Sequence, residues 1–361
     1  MERGIRRVLG SDNCAITHVP LADGGEGTVD ALLASTGGTR QTSTVRGPLG
    51  EPVQASWGIL PNGSAVIEMA QASGLPLVPP ELRDAGRASS FGTGELIRAA
   101  LDAGCHSFLL GLGGSATTDG GTGLLQALGA RFLDSRGAEL PPGGAALASL
   151  HHIDLSALDE RLAQSQITVL CDVTNPLYGP YGAAPVYGPQ KGASPAEVKQ
   201  LNAALENFAG IATQVTGLKL HDQPGAGAAG GMGYGLLTFA GARLQPGIEV
   251  VLAAANFGEL LEKADLVLTA EGAIDVQTPQ GKALAGVARA ARSAHEGKGV
   301  PVIAFGGAVK LTGTELEELG IIAALPLPDG PMALDECVQR AGELLADAAE
   351  RAMRLVNART R

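Results

Sequence analysis

The segment Gly111-Leu-Gly-Gly-Ser-Ala-Thr-Thr-Asp-Gly-Gly121 follows the apolar run Phe108-Leu-Leu-Gly-Leu112 and leads into a helical pattern starting near Thr118. A buried strand, a glycine-rich loop and a helix in that order constrain the fold strongly, because they place a ligand-binding loop at the carboxyl end of a strand in an α/β sheet. Backbone N–H groups of successive glycines, the hydroxyls of Ser115, Thr117 and Thr118 and a helix N-terminus together make an anion site. Five glycines, three hydroxyls and an aspartate exceed what a tight turn with a helix cap requires. Gly113, Gly114, Ser115, Thr117, Thr118 and Asp119 are therefore candidate phosphate or nucleotide contacts. Gly111, Gly113 and Ala116 also satisfy the G-x-G-x-x-A dinucleotide fingerprint.

The same arrangement recurs along the chain. Ile5, Val8 and Leu9 suit an opening helix, and Ala15–Leu21 reads as a strand. The turn Asp23-Gly24-Gly25-Glu26-Gly27 and a helix to about Ser35 follow. Between Thr39 and Met69, short alternating or apolar runs separated by Gly and Pro breaks predict an antiparallel meander. A helix over Gly92–Ala103 precedes the Phe108 strand. The strand Ile167–Cys171 ends at Asp172. Ser194 and Glu197 have capping-box spacing at the head of a helix over about Pro195–Val215. The last hundred residues alternate regularly: strand Asp265–Thr269, helix from about Gly281 to His295, strand Val302–Phe305, helix around Glu315–Leu319, strand Ile321–Leu325, and a terminal helix over about Leu334–Val356. Alternating strands and helices predict a doubly wound parallel sheet. The mixed middle of the chain predicts an inserted α/β domain. Residues 1–37 plus 263–361 are assigned to the first domain and 38–262 to the insert.

Acids fall at the predicted strand ends: Asp23 and Glu26, Asp172, and Glu271 with Asp275. An isolated acid there usually caps the next helix; several together can hold Mg²⁺ or take a proton from an alcohol. Asp23, Glu271 and Asp172 are the catalytic candidates, and Asp172 and Asp275 the candidates for Mg²⁺. Asn175, in Cys171-Asp-Val-Thr-Asn-Pro, could share a ligand with Asp172. Gly24, Gly25, Glu26, Asn175 and Gln190 are candidates for substrate contact. Lys191, between glycines in Gly188-Pro-Gln-Lys-Gly192, and Lys282, at a helix start where the dipole disfavours a cation unless an anion binds, are candidates for phosphate. A second glycine cluster, Gly225–Gly230, lacks a preceding strand and divides evenly between packing and phosphate contact.

Composition narrows the class. The 361 residues carry 26 basic and 37 acidic side chains and only 3 % aromatics, which speaks against a nucleic-acid surface. Cys14, Cys105, Cys171 and Cys337 are far apart and form no C-x-x-C, as expected of reduced thiols in the cytoplasm. Met1–Arg7 has no apolar h-region, so no signal peptide is expected. The uncharged stretch Gln223–Ala242 carries seven glycines and a proline, so it reads as a loop entering a buried helix rather than a membrane span. P-loop, nucleophile-elbow, H-E-x-x-H and protein-kinase signatures are absent from the sequence.

Pro20-Leu-Ala-Asp-Gly-Gly-Glu-Gly-Thr28, Gly111–Gly121, Cys171-Asp-Val-Thr-Asn-Pro-Leu177, Gly188-Pro-Gln-Lys-Gly192, Gly225–Gly233 and Thr269-Ala-Glu-Gly-Ala-Ile-Asp-Val-Gln-Thr278 with Gly281-Lys282 resemble, in order, the bacterial type I glycerate kinases. The resemblance covers essentially the whole chain. It implies ATP- and Mg²⁺-dependent phosphorylation of D-glycerate, commonly at the 2-hydroxyl, in a cleft between a flavodoxin-like domain and an α/β domain inserted into it. Family members open with a strand and an Asp-Ser-Phe-Lys-Gly-like loop, whereas this chain starts inside the helix that follows. In a 2-1-3-4-5 order that strand is central, so the natural enzyme is expected to be longer and this chain to show reduced stability and activity. Two other readings remain open on the residues alone. One is a nicotinamide-dependent oxidoreductase using Gly111–Ala116, with Asp134 near the ribose position; the other is a non-catalytic binding protein for a small acid.

Overall fold

The computed structural model describes residues 1–276, 278 and 283–358. The chain divides into a larger unit, Pro20–Val251, and a smaller one made of Met1–Val19 with Leu252–Arg361.

The larger unit is built on a six-stranded sheet. Its strands are β1 (Thr39–Arg46), β2 (Pro52–Ile59), β3 (Ala65–Glu68), β4 (Ser107–Gly111), β7 (Gln166–Leu170) and β8 (Arg243–Gln245), neighbours in that order. β5 (Arg131–Leu133) and β6 (His152–Asp154) form a separate hairpin. The meander is present: β1 and β2 pair antiparallel from Thr39 opposite Ile59 to Arg46 opposite Pro52, and β2 pairs antiparallel with β3. Beyond β3 the sheet turns parallel through β4, β7 and β8. Parallel strands need helical crossovers that cover both faces. Accordingly β3 is buried throughout, and helix Phe91–Asp102 runs between β3 and β4. Helix Pro195–Thr216 starts on the expected capping box of Ser194 and Glu197. It brings Phe208 into edge contact with Phe132 and Tyr234, at ring separations of 6.0 and 5.4 Å.

Register puts Glu68 beside Gly111, and Gly111 beside Leu170. The carboxyl ends of β3, β4 and β7 therefore lie at one edge, where open α/β sheets bind ligands.

The smaller unit holds a three-stranded parallel sheet, with β10 (Val302–Val309) between β9 (Val267–Ile274) and β11 (Ala323–Pro326). Ile303 and Phe305 of β10 pack on Ala348, Ala349 and Ala352 of helix Ala341–Ala358. Helix Glu2–Leu9 lies so close to that helix that a Cβ at Gly4 would collide with the carbonyl of Ala346.

Both units are thus α/β with parallel strands, but several details differ from expectation. Residues 14–22 form no strand, because no segment pairs with them among the described residues, and a strand exists only through its ladder. Helix Thr28–Thr36 packs on the larger sheet: Leu33 reaches Gly58 and the Val29 N–H reaches Glu68. By packing, residues 20–37 therefore group with the larger unit. The terminal helix is two helices, Leu334–Gln339 and Ala341–Ala358.

Candidate active site

The loop Asp23–Gly27 seats on the carboxyl edge of the larger sheet, and its glycines explain how. A Cβ at Gly24 would stand 2.7 Å from the Leu170 side chain, and one at Gly113 would stand 2.6 Å from Gly25 Cα. The two loops touch backbone to backbone, with Gly113 N–H donating to Gly24 O at 3.4 Å. Only glycine permits so close an approach. Glu68, 3 % exposed, anchors the far end of the Asp23 loop by accepting the Val29 N–H at 2.7 Å. Burial pushes its carboxyl above the usual range against that bond and one from Gln71.

A cavity of about 380 Å³ opens between these loops. Asp23, Gly24, Gly25, Gly113, Gly114, Ser115, Asp172, Gln190 and Lys191, all predicted from the sequence, line it. Lys191 belongs to the tight turn Pro189–Lys191 and is 2 % exposed. Its Nζ donates to Ser115 Oγ at 2.8 Å and to the Thr117 carbonyl at 2.6 Å. Burial lowers its pKa to about 7, with Asp119 opposing. Two acceptors satisfy a neutral amine completely, whereas the ammonium has a third N–H. That third donor is the chemistry by which the cavity can bind an anion.

Asp172 supplies the opposite charge. Its Oδ1 accepts the Gly247 N–H at 3.0 Å. Burial raises its pKa to about 6; the Gly247 bond opposes the rise, and the negative charges of Asp23 and Glu249 add to it. Asp23 is exposed at the rim, its Oδ1 accepting the Gly25 N–H at 3.2 Å. Two carboxylates on one cavity suit a hard divalent cation that takes its other ligands from phosphate and water. Among the described residues no group of three or more His, Cys, Asp or Glu could hold a metal ion without such help.

Other predicted residues serve the fold instead. Asp119 is wholly buried. Its carboxylate accepts from Ser90 N–H and Oγ, both at 2.8 Å, from Gly121 N–H at 3.1 Å and from Gly123 N–H at 3.3 Å. It ties the starts of two helices together and has no room for a ligand, so its reading as a phosphate contact is corrected. Thr117 and Thr118 are likewise buried and do not line the cavity. The helix after this loop begins at Thr122, after left-handed Gly120 and Gly121. The dinucleotide reading needs a helix N-terminus near Ala116, and none stands there. Asn175 is spent on its own loop: Nδ2 donates to Tyr181 O at 2.8 Å and Oδ1 accepts from the Tyr187 hydroxyl at 2.7 Å. Glu26 is exposed and outside the cavity lining. The Gly225–Gly230 cluster packs: Gly230 sits flush on Thr117 O, and its carbonyl accepts the Gly120 N–H at 3.0 Å. Glu271 and Asp275 belong to the smaller unit, and Lys282 lies outside the described residues.

Sequence reasoning passed over Glu68, Tyr187, Leu75 and Ala228–Ala229. Glu68 carried a usable signal, an acid inside the otherwise apolar run Ala65–Met69. The others are ordinary residues whose roles arise only from packing.

The family model described as "Glycerate kinase family" matches residues 1–357. The chain is 47 % identical to the glycerate kinase of Halalkalibacterium halodurans over 97 % of its own length and 90 % of that protein. It is 46 % identical to the glycerate 2-kinase of Escherichia coli, covering 94 % of this chain and 88 % of that protein. The crystal structure of a putative glycerate kinase 2 from Salmonella typhimurium superposes with a TM-score of 0.87 at 42 % identity, covering 99 % of this chain and 93 % of that one.

Proposed function

The chain belongs to the glycerate kinase family, and from that premise we propose that it transfers the terminal phosphoryl group of ATP to the 2-hydroxyl of D-glycerate, giving ADP and 2-phosphoglycerate. The observation that carries this reading is Lys191 buried in the wall of a cavity that also holds Asp23 and Asp172. Phosphoryl transfer asks for positioning and charge neutralisation more than for covalent chemistry, and this cavity offers both signs of charge at short range.

In this reading the Lys191 ammonium gives its third N–H to a phosphate oxygen. Ser115 and Thr117 hold the other two and fix the direction of the charge. Asp172 would hold Mg²⁺ with the oxygen that Gly247 does not use, and Asp23, exposed at the rim, takes the proton of the attacking hydroxyl. When bound, Mg²⁺ neutralises phosphate charge. Glu271 remains a candidate for the base, Asp275 for Mg²⁺ and Lys282 for phosphate. The backbone contacts of Gly24–Gly25 with Gly113 keep the two loops at a fixed spacing, which positions the groups they carry. The four cysteines are free, which supports a reducing compartment such as the cytoplasm as the site of action; among the described residues no helix is long and apolar enough to cross a membrane.

The test is ADP release with Mg-ATP and D-glycerate. D-glycerate-dependent turnover, absent with glycerol, supports the reading. ATP turnover indifferent to glycerate, or none at all, overturns it.

A further inference from the structure

The charged side chains lining the cavity are Asp23, Asp172 and Lys191, two negative and one positive. A reaction between a hydroxy acid and a nucleoside triphosphate brings a carboxylate and a polyphosphate into the same space. Even with a divalent cation offsetting the two aspartates, a single ammonium cannot serve both anions. Among the described residues, a second cation near Lys191 would serve the other anion.

Arg83 is not itself part of the cavity lining, but it is bonded to Gln190, which is. It follows the turn Pro80–Leu82 and lies directly behind the Gln190–Lys191–Gly192 segment. A Cβ at Gly192 would stand 2.5 Å from Arg83 O and 3.0 Å from Arg83 Cβ. Its Nη1 makes one long bond, 3.3 Å, to the carbonyl of Gln190, a residue of the cavity lining. Its Nε is buried and has no acceptor among the described residues. A buried donor without a partner is costly, and a guanidinium is built to give two parallel N–H bonds to one carboxylate. The neutral carbonyl of Gln190 uses only one arm of that fork.

We propose that Arg83 binds the carboxylate of the hydroxy-acid substrate, which leaves Lys191 to the phosphates of the nucleotide. The inference rests on the proposed phosphorylation of glycerate. It assigns the acid group of the substrate to the side of the cavity formed by Gln190, and its hydroxyl to the side formed by Asp23. It also gives the enzyme a reason to reject polyols: glycerol lacks the group that Arg83 recognises, and a site built around a charged partner rejects analogues lacking it.

The experiment is steady-state kinetics on Arg83→Gln and Arg83→Lys, with glycerate and ATP varied in turn and melting temperature measured alongside. Losing a bidentate charge-assisted pair should raise the KM for glycerate roughly 10- to 100-fold while the KM for ATP stays within about threefold and the melting temperature is kept. Arg83→Lys, which keeps the charge and loses the fork, should fall between wild type and Arg83→Gln. If both KM values rise together, or melting falls in step with activity, Arg83 only props the Lys191 turn and the proposal is overturned. Unchanged kinetics overturn it as well. In each of these cases wild-type turnover of glycerate still stands, so the failure is separate from a failure of the proposed function, which the wild type alone decides. Should the wild type neither turn over nor bind glycerate in calorimetry, both fall.

Discussion

Lys191 Nζ stands 2.8 Å from Ser115 Oγ, joining the turn after Gly188 to the glycine loop after β4 across 76 positions of sequence. The bond orients a buried amine whose environment works against its charge. In the unfolded chain that lysine titrates near its ordinary value, whereas burial brings it to about 7 in the folded state. Below pH 7 both states are protonated and the full penalty of burying the charge is present. Between pH 7 and about 10.5 the folded state releases the proton first, so the penalty shrinks as pH rises.

Lys191→Met should therefore be most stabilising, relative to wild type, at pH 6–7, and should lose that advantage toward pH 10. The full linkage term is on the order of 3–5 kcal/mol, reduced by the loss of the two hydrogen bonds. Urea unfolding of both proteins from pH 6 to 10 measures it. A difference independent of pH would show that Lys191 titrates normally.

Asp172 carries the opposite sign. Its pKa rises to about 6 on folding, so its effect on stability is favourable at low pH and is lost as pH rises through 6. Asp172→Asn retains an acceptor for the Gly247 N–H and removes the half-buried charge. It should be more stable than wild type at pH 7.5 by about 1 kcal/mol after allowing for solvent screening, and no more stable at pH 4. The same variant should lose about 100-fold or more in kcat and show a weakened Mg²⁺ requirement. Melting curves at the two pH values and a Mg²⁺ titration of turnover check the pair.

Asp119 is predicted to be structural. Asp119→Ala removes the acceptor for four donors buried at two helix starts, so it should destabilise by about 3 kcal/mol or more. Residual activity should track the folded fraction across temperature. Activity lost at full folding would restore it to the site.

The strain at the head of helix Ala228–Phe239 gives a paired test. Ala229 adopts a left-handed φ of 50°, and Gly230, at 67°, lies against the carbonyl of Thr117. Ala229→Gly should be neutral or slightly stabilising, because relief of the left-handed penalty of roughly 1–2 kcal/mol offsets the added chain entropy. Gly230→Ala should cost about 3 kcal/mol from the strained φ and overpacking together. Comparable effects of the two substitutions would mean that this backbone is not held as described.

Much of the cavity was legible because its residues are unusual where they stand. A lysine between glycines, an aspartate ending the run Ile167–Cys171, and a loop with five glycines each depart from what packing alone selects, and Lys191, Asp172 and Gly113–Ser115 meet at one cavity. Asp119 shows the limit of that reasoning. An acid in a glycine loop reads the same whether it faces a ligand or its own backbone, and only the four donors converging on it decide. Asn175 was misleading for the same reason, since its amide is spent on Tyr181 and Tyr187. The strand expected at Ala15–Leu21 has the right alternation but no pairing partner among the described residues, and pairing is a property of two segments. Arg83 was invisible because one arginine beside a proline turn carries no pattern.

The most direct test of the account is kcat for Lys191→Met against wild type, with Mg-ATP and D-glycerate at pH 7.5, on samples shown to be folded. The account predicts a loss of about 100-fold or more, as expected when a charge aimed at the transferring phosphate is removed. Turnover within about threefold of wild type would contradict it, and would place phosphoryl transfer outside the cavity that Lys191 lines.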